Sequence, residues 1–189
     1  MKINYPDNIK KVSKEKIKTY SNRGMLLEDD INETNNYYLK KDIAVIYKKP
    51  TPIQIVKTKD KKITEAYFKL PSTTDYNGLY KGKYIDFEAK ETTLKTNFPL
   101  KNIHLHQINH IKKVLEHGGC CFLIVRFVNL NKTYLLYGVD FINFISNEKR
   151  QSIPLNYFKE KGFEIKLGLN PRLDYIKILE DTGGTIWKK

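Results

Sequence analysis

The sequence predicts an α/β fold in which a mixed central β-sheet is flanked by helices. Residues 84–91 alternate apolar and charged side chains, which is the pattern of a strand with one apolar face. Residues 120–128 form the most apolar run of the chain, typical of a central buried strand. Residues 102–116 lie between these strands and carry apolar side chains at helical spacing.

The composition is that of a globular protein. The chain has 189 residues, of which 40% are hydrophobic and 29% charged, which suits one domain of ordinary size. No apolar run approaches the roughly 20 residues of a membrane span, and the lysine-rich start lacks the apolar core of a secretory signal. The two cysteines, Cys120 and Cys121, are adjacent and form no disulfide framework, which favours a reducing, cytoplasmic location.

The formal net charge is +13 and the sequence pI is near 9.5. This charge indicates a polyanionic partner, with nucleic acid as the first candidate. The alternative is that the lysine content reflects the codon usage of an AT-rich genome. We predict a basic flexible arm over residues 1–21, a single folded domain over residues 22–180 and a C-terminal tail over residues 181–189. The arm either lies on phosphates or is a solvated tail.

Residues 22–40 are predicted to form a helix. Asn22 can cap its start, and an approximate apolar face follows. Glu28, Asp29 and Asp30 lie near its first turns, where carboxylates interact favourably with the helix dipole. The alternative is that Glu28 supports a metal site.

A β-hairpin with a basic tip is predicted next. We expect strands at residues 44–47, 53–56 and 63–70, with a polar turn at residues 57–62. Tyr67, Phe68 and Lys69 then form an aromatic and basic group of the kind that stacks on unpaired bases. The alternative for this group is ordinary strand packing.

The second half of the chain alternates helices and strands. The helix over residues 102–116 is predicted to end at Gly118 and Gly119. His106 and His110 on this helix have the i, i+4 spacing of a zinc pair, but no acidic or cysteine partner accompanies them. The remaining predicted elements are strands at 120–128 and 133–139, a short helix at 141–146, a short helix and strand within 152–167, and a last strand ending at Leu179.

The chemistry of the chain is concentrated in residues 72–90. Asp75 stands at a glycine-containing turn, and Glu88 and Lys90 share one face of the strand that follows. Mg²⁺ prefers hard oxygen ligands, and two carboxylates are typical protein ligands for it. A lysine beside them can hold the attacking water or stabilise charge on a pentacovalent phosphate. The pattern indicates a Mg²⁺-dependent phosphodiesterase site.

Three further residues surround this pattern. Thr73 and Gln107 offer neutral oxygens that could complete a metal shell, directly or through water. Asp86 shares the charged face of the strand with Glu88 and is a reserve ligand. The alternative is an exposed strand face with a Glu88–Lys90 ion pair, because such triplets are common in sequences.

These residues resemble the RecU family of Holliday junction resolvases. The similarity runs from about Asn22 to Leu179 in the order of the family. The segments that carry it are residues 22–25, 28–30, 48–52, 65–68, 72–78, 84–92, 98–100, 106–107, 152–155 and 171–175.

The resemblance implies a restriction-endonuclease-like PD-(D/E)xK nuclease domain with a projecting β-hairpin stalk at about residues 56–70. It implies a homodimer that cuts four-way junction DNA by paired nicks in recombination and repair, with Mg²⁺ as cofactor, Mn²⁺ as a substitute and a recombinase as a further partner. The implied metal-site residues are Thr73, Asp75, Glu88 and Gln107, with Lys90 as the transition-state stabiliser. The candidate DNA-binding residues are Arg23, Lys57, Lys59, Lys61, Lys62, Phe68 and Lys69.

The sequence therefore predicts a Mg²⁺-dependent, structure-selective DNA endonuclease. One alternative is an architectural protein that binds junctions without cutting them. Another is a sequence-specific restriction-type endonuclease of the same fold class.

Overall fold

The computed structural model describes residues 27–69 and 73–182. Within these ranges the helices are α1 (Leu27–Lys40), α2 (Leu105–Glu116), α3 (Gly138–Asn147), α4 (Leu155–Lys161) and α5 (Tyr175–Thr182). The strands are β1 (Val45–Lys48), β2 (Ile53–Lys59), β3 (Lys62–Phe68), β4 (Tyr76–Tyr80), β5 (Lys83–Thr92), β6 (Asn97–Pro99), β7 (Cys120–Phe127), β8 (Lys132–Tyr137), β9 (Ser152–Pro154) and β10 (Phe163–Ile165). The predicted arm, Arg23 and residues 183–189 of the predicted tail lie outside the described ranges.

A six-stranded sheet in the order β1-β4-β5-β7-β8-β10 forms the centre of the fold. Strands β5 and β7 are parallel, whereas the other neighbours in this sheet are antiparallel. A parallel pair needs a crossover connection, and α2 lies within it. Helices pack on both faces of the sheet. The predicted α/β class with a mixed central sheet is therefore confirmed.

Aromatic side chains fill the core on the face covered by α1 and α5. Tyr76, Phe87 and Phe122 come from three adjacent strands and stack with successive ring centroids 4.8 Å apart. Tyr175 of α5 packs on Phe87 with the centroids 5.2 Å apart. All four rings are fully buried. Because side chains alternate along a strand, this packing directs the charged residues of β5 to the opposite face.

Residues 27–69 and 73–182 cover the opposite face only in part. Apolar residues of β7 and β8 pack there against α2, α3 and α4. Farther along the sheet, Val45, Leu79 and Tyr84 form a row across β1, β4 and β5. These three side chains and Tyr47 are exposed. We call these four residues the uncovered face.

The helix α2 is fixed at both ends by local sequence. At its start, Gln107 Oε1 accepts the main-chain N–H of His104 at 2.9 Å, which is half of a capping box. At its end, Gly118 has φ +78°, a conformation that glycine adopts without strain. A Cβ on Gly119 would lie 2.4 Å from Val114, so a side chain does not fit there. The predicted end of this helix is confirmed.

The hairpin β2–β3 extends away from the sheet, and all of its strand residues are exposed. Its turn is shorter than predicted. The strands continue to Lys59 and restart at Lys62, and the two residues between them, Asp60 and Lys61, have φ of +50° and +61°. Two consecutive residues with positive φ are typical of a two-residue hairpin turn. The predicted six-residue turn at 57–62 is therefore wrong.

One face of this hairpin is apolar near its base. Ile53 pairs with Phe68, and Ile55 pairs with Ala66. Residues paired across antiparallel strands point to the same side, so these four side chains share one face. Tyr67 lies on the other face, opposite Gln54. The hairpin therefore presents an apolar surface that nothing in the described chain covers.

The predicted last strand is wrong, because residues 175–182 form helix α5. Tyr175, Ile176 and Leu179 are buried, and their spacing places them on one helical face against the sheet. Helix α3 likewise begins at Gly138, so the predicted strand at 133–139 ends two residues early. Asp181 and Thr182, predicted to belong to the tail, are the last residues of α5. Within the described part of the chain, no helix is both long and apolar enough to cross a membrane.

Candidate active site

Asp75 and Glu88 meet where the turn before β4 faces β5. In this antiparallel pair Tyr76, the first residue of β4, is opposite Phe87, which places Asp75, just before the strand, beside Glu88. The main-chain N–H of Asp75 donates to Glu88 Oε2 at 3.1 Å. The main-chain N–H of Ala89 donates in turn to Asp75 Oδ2 at 3.2 Å. Main-chain groups therefore hold the two carboxylates next to each other.

Glu88 is completely buried. Gln107 Nε2 donates to its Oε1 at 2.7 Å, and Lys90 Nζ contacts the same oxygen. Burial and the charge of Asp75 raise the pKa of Glu88 to about 8, against the opposing effect of Lys90. A bound cation would relieve this electrostatic strain, since it would neutralise both carboxylates.

Lys90 lies between the two carboxylates. Its Nζ is 3.8 Å from Asp75 Oδ2, and its side chain is 26% exposed. Burial lowers the pKa of Lys90, but Glu88 and Asp75 outweigh burial and raise it, so the ammonium stays charged. The alternative of an exposed Glu88–Lys90 strand face is wrong, because Glu88 is buried and bonded to Gln107.

Thr73 and Gln107 both lie at this site. Gln107 uses its Oε1 for the N–H of His104, so it presents its amide nitrogen to Glu88. Thr73 stands in the turn before Asp75, and its Oγ1 accepts a hydrogen bond from Lys49 Nζ at 3.0 Å. A metal-binding role for either residue stays a prediction.

Asp86 is also completely buried, with both of its oxygens bonded. Its Oδ2 accepts from Lys49 Nζ at 2.7 Å and from the Tyr84 hydroxyl at 2.8 Å, and it lies 3.1 Å from His110 Nε2. Its Oδ1 contacts the Thr74 hydroxyl. Burial alone would raise the pKa of Asp86, but the hydrogen bonds from Lys49, Thr74 and His110 hold it below its usual value. Asp86 is thus engaged in a network of its own.

Sequence reasoning missed Lys49, Thr74 and the contact of His110. Lys49 is 37 positions from Asp86, and His110 is 24 positions from it. No local spacing connects residues so far apart. One signal in the sequence pointed to these contacts. The alternation of β5 places Asp86 on the charged face, and a carboxylate that becomes buried there needs a positively charged or hydrogen-bonding partner.

Glu28 lies at the edge of the site. It forms an ion pair with Lys48, and both side chains are about half exposed. Its charge contributes to the raised pKa of Lys90. In addition, the Tyr76 hydroxyl donates to its main-chain carbonyl at 3.4 Å. The structure therefore brings Glu28 near Lys90, whereas its role as metal support stays a prediction.

The candidate DNA-binding residues of the hairpin are exposed. Lys57 forms an ion pair with Glu65 at 2.9 Å across the strands. Phe68, at the base, is 77% exposed, although a ring of this size is usually buried. The other exposed members are Lys59, Lys61, Lys62 and Lys69.

In the described residues, no group of three or more His, Cys, Asp or Glu side chains could hold a metal ion. The donors at the site are instead two carboxylates with neutral oxygens nearby, which suits a cation that keeps several waters. The histidine pair considered for zinc has other partners. His110 contacts Asp86, and His106 stacks on His104 with ring centroids 5.4 Å apart.

A mixed sheet that brings two carboxylates and a lysine together in this way is the arrangement that a metal-dependent nuclease needs. The chain matches the family RecU, Recombination protein U, over residues 22–181. It belongs to this family, so the resemblance found in the sequence is confirmed.

Curated relatives extend over most of the chain. The Holliday junction resolvase RecU of Geobacillus kaustophilus is 55% identical over 170 residues, which cover 86% of this chain and 85% of the relative. The protein of the same name from Pediococcus pentosaceus is 50% identical over 195 residues, which cover 95% of this chain and 97% of the relative. The protein of the same name from Bacillus cereus is 52% identical over 173 residues, which cover 87% of this chain and 86% of the relative.

Proposed function

We propose that this protein is a structure-selective DNA endonuclease that resolves four-way junctions by paired nicks, in recombination and repair. The observation that carries the proposal is the convergence of Asp75, Glu88 and Lys90 in a chain that matches the RecU family from end to end of its domain. The relatives are named Holliday junction resolvases, and resolution of a junction by nicks requires hydrolysis of phosphodiester bonds.

We propose Mg²⁺ as the cofactor, with Mn²⁺ as a substitute. Asp75 and Glu88 would be its carboxylate ligands, which fits the raised pKa of Glu88. Thr73 would add its hydroxyl oxygen. Gln107 would add its amide oxygen through a water, or after releasing the N–H of His104. A divalent cation held there neutralises phosphate charge and activates a bound water.

Lys90 performs a separate part of the proposed reaction. Its ammonium is fixed by Glu88 and stays charged, because both neighbouring carboxylates favour the charged form. A preorganised positive charge stabilises the extra negative charge that develops on a pentacovalent phosphate. Loss of this charge should slow the chemical step more than it weakens DNA binding.

DNA binding is proposed to use the hairpin and the basic surface of the chain. The net charge of +13 favours contact with phosphates. The exposed ring of Phe68 is suited to stacking on a base that the junction leaves unpaired or splayed. The site lies beside the base of this hairpin, because Lys49 and Asp75 flank it and are bonded to each other through their main chains.

We also propose that the protein acts as a homodimer. A four-way junction has two-fold symmetry, so a C₂ dimer supplies two matching sites for two opposed cuts. One exposed apolar surface supports this, namely the uncovered face. The apolar side of the hairpin carries Phe68 and is assigned to DNA.

A recombinase is proposed as a further partner, because resolution must follow the strand exchange that creates the junction. The cytoplasm is the proposed location, since chromosomal DNA lies there in bacteria such as the relatives. Cys120 and Cys121, both free and buried, are compatible with a reducing compartment.

The test is cleavage of a synthetic four-way junction with and without Mg²⁺. The parent protein should nick it only with Mg²⁺, and Glu88→Ala or Lys90→Ala should abolish nicking while binding persists. Lys132→Ala and Glu116→Ala are matched controls on exposed positions and should cut like the parent. Cutting by both site variants at the parental rate would show that the site is misassigned.

The same assay separates the alternatives. An architectural protein would bind the junction with steep salt dependence and show no Mg²⁺-stimulated nicking. A restriction-type enzyme would cut linear duplex at a fixed sequence. A resolvase should instead cut the junction in preference to linear duplex of the same sequence.

A further inference from the structure

Lys49 is the most heavily bonded lysine near the site. Its side chain is 15% exposed, and its ammonium has three hydrogen-bond acceptors around it. These are Asp86 Oδ2 and Thr74 Oγ1, each at 2.7 Å, and Thr73 Oγ1 at 3.0 Å. A lysine ammonium has three N–H donors, so all of them are used.

The main chain of Lys49 is bonded to the same turn. Its N–H donates to the carbonyl oxygen of Asp75 at 2.8 Å. One residue therefore contacts Thr73 and Thr74 through its side chain and Asp75 through its backbone. These three consecutive residues form the turn that supplies the Asp75 carboxylate.

Asp86 anchors this arrangement to the rest of the fold. It belongs to β5, two residues before Glu88, and it is also bonded to the Tyr84 hydroxyl and in contact with His110 of α2. The Lys49 ammonium thus connects the turn to a fixed acceptor on the strand that carries Glu88.

Residues 73–75 belong to no regular element and precede β4. A turn of this kind has conformational entropy to lose when it must present a ligand in one place. Hydrogen bonds made before the ligand arrives reduce that loss at the moment of binding.

We propose that Lys49, held by Asp86, is a positioning residue that preorganises the turn of Thr73, Thr74 and Asp75 for cation binding. It contacts neither the cation nor the phosphate. This inference rests on the proposed function, because it concerns the same metal site. It differs in its prediction, since loss of Lys49 weakens metal binding and leaves the chemical step intact.

Lys49→Met alone would leave the buried Asp86 without the positive charge of its lysine partner, which risks unfolding. The central variant is therefore the double change Lys49→Met with Asp86→Asn, which removes both charges of the pair. Thr74→Ala is the second variant, because it removes the hydroxyl that bonds the turn to Lys49 and Asp86 while the ion pair stays. Lys132→Met, at an exposed position, is the control for the lost charge. Circular dichroism and thermal melting establish that each variant is folded.

Two measurements are made on these variants and the parent. The first is Mg²⁺ binding to the DNA-free protein by isothermal titration calorimetry, and the second is junction nicking as a function of Mg²⁺. We expect the Mg²⁺ midpoint of the double variant to be about tenfold higher than that of the parent, in calorimetry and in nicking alike. The midpoint of Thr74→Ala should be about threefold higher. At saturating Mg²⁺ the nicking rate of both should return to within about threefold of the parent. Lys90→Met, which removes a catalytic group, should stay slow at every Mg²⁺ concentration.

Mg²⁺ midpoints within twofold of the parent for both variants would overturn the positioning role of Lys49. So would a folded double variant whose nicking rate does not recover at high Mg²⁺. A parent protein that neither binds Mg²⁺ nor nicks the junction would overturn the proposed function itself, and the inference with it.

Discussion

The backbone of Asp75 holds the side chain of Glu88. The Asp75 N–H donates to Glu88 Oε2 at 3.1 Å, so one residue supplies a carboxylate and also orients its neighbour. The two residues are 13 positions apart and are brought together by the antiparallel pairing of β4 and β5. The site is therefore assembled by a local hairpin and completed by α2 through Gln107.

Mg²⁺ should stabilise the DNA-free protein, because it binds Asp75 and Glu88 only where folding brings the two carboxylates together. At ten times its dissociation constant the gain is about 1.4 kcal/mol. For a chain of this size that is roughly 3 to 5 °C in the melting temperature. Differential scanning fluorimetry across a Mg²⁺ series measures it. Glu88→Gln should remove the shift, and an equal shift in that variant would place the cation elsewhere.

The stability of the metal-free protein should fall as pH rises from about 5 to 8. Glu88 has a folded pKa of about 8, above the usual value of about 4.3 for an unfolded glutamate. Between these values the folded state keeps a proton that the unfolded state releases, so the free energy of unfolding decreases with pH. We expect about 2 kcal/mol of this decrease to disappear in Glu88→Gln.

Urea unfolding at several pH values, with EDTA present, measures this slope. Glu116→Gln, at an exposed position of α2, is the matched control and should retain the parental slope. If Glu88→Gln and the parent lose stability in parallel, Glu88 is ionised in the folded state throughout this range.

Phe68→Ala should weaken junction binding without destabilising the fold. Its ring is 77% exposed, so truncation removes little buried surface. Stacking of a base on an aromatic ring contributes about 1 to 3 kcal/mol, which corresponds to roughly 5- to 150-fold in the dissociation constant. Fluorescence anisotropy with a labelled junction measures the loss, and Phe68→Tyr should retain binding. Unchanged affinity of Phe68→Ala would exclude a stacking role.

Leu79→Lys should convert the proposed dimer to a monomer. Leu79 is at the centre of the uncovered face and is 52% exposed. Burial of an unpaired lysine charge there would cost desolvation free energy and destabilise an interface. Leu167→Lys is the matched control, since Leu167 is 51% exposed and follows β10, which forms the sheet edge opposite β1. Sedimentation velocity distinguishes the two species. A Leu79→Lys protein that stays dimeric would locate the interface elsewhere.

Asp30→Asn should destabilise the protein by about 3 kcal/mol. Asp30 is buried and bonded to two arginines, Arg126 at 2.5 Å and Arg172 at 3.1 Å. The amide would leave their charges unbalanced at the base of α1. Asp29→Asn, one residue earlier and exposed, should change stability by less than about 0.5 kcal/mol. Equal urea midpoints for the two variants would show that the arginines find other partners.

The parts of the site that could be predicted from the sequence are those joined by a short hairpin. Turn residues between Asp75 and Glu88, followed by an alternating strand, sufficed to place the two carboxylates and Lys90 together. The bonds of Lys49 to Asp86 and of Asp30 to Arg172 span 37 and 142 positions. Such contacts depend on how the elements pack, and no local pattern encodes them.

The sequence predicted the central strands β5 and β7 correctly, whereas the strand predicted near the C-terminus is the helix α5. The apolar run at β7 and the alternation of β5 are strong signals, because burial on one or both faces dictates them. Residues 175–179 carry a short apolar pattern that suits either a strand or a helix. As a helix, this segment buries Tyr175, Ile176 and Leu179 on one face, and Tyr175 packs on Phe87 and Phe122 of the sheet.

Because the turn of the hairpin has only two residues, the length of its strands fixes how far the hairpin projects. Strands of seven residues extend about 23 Å from base to tip. The major groove of B-DNA is only about 8.5 Å deep. In the proposed complex, an uninterrupted duplex that approaches along the hairpin would meet its tip first, and its phosphates would be kept away from the carboxylates. A junction offers a central opening into which the hairpin can pass, so selection of the substrate would come from steric exclusion as well as from attraction.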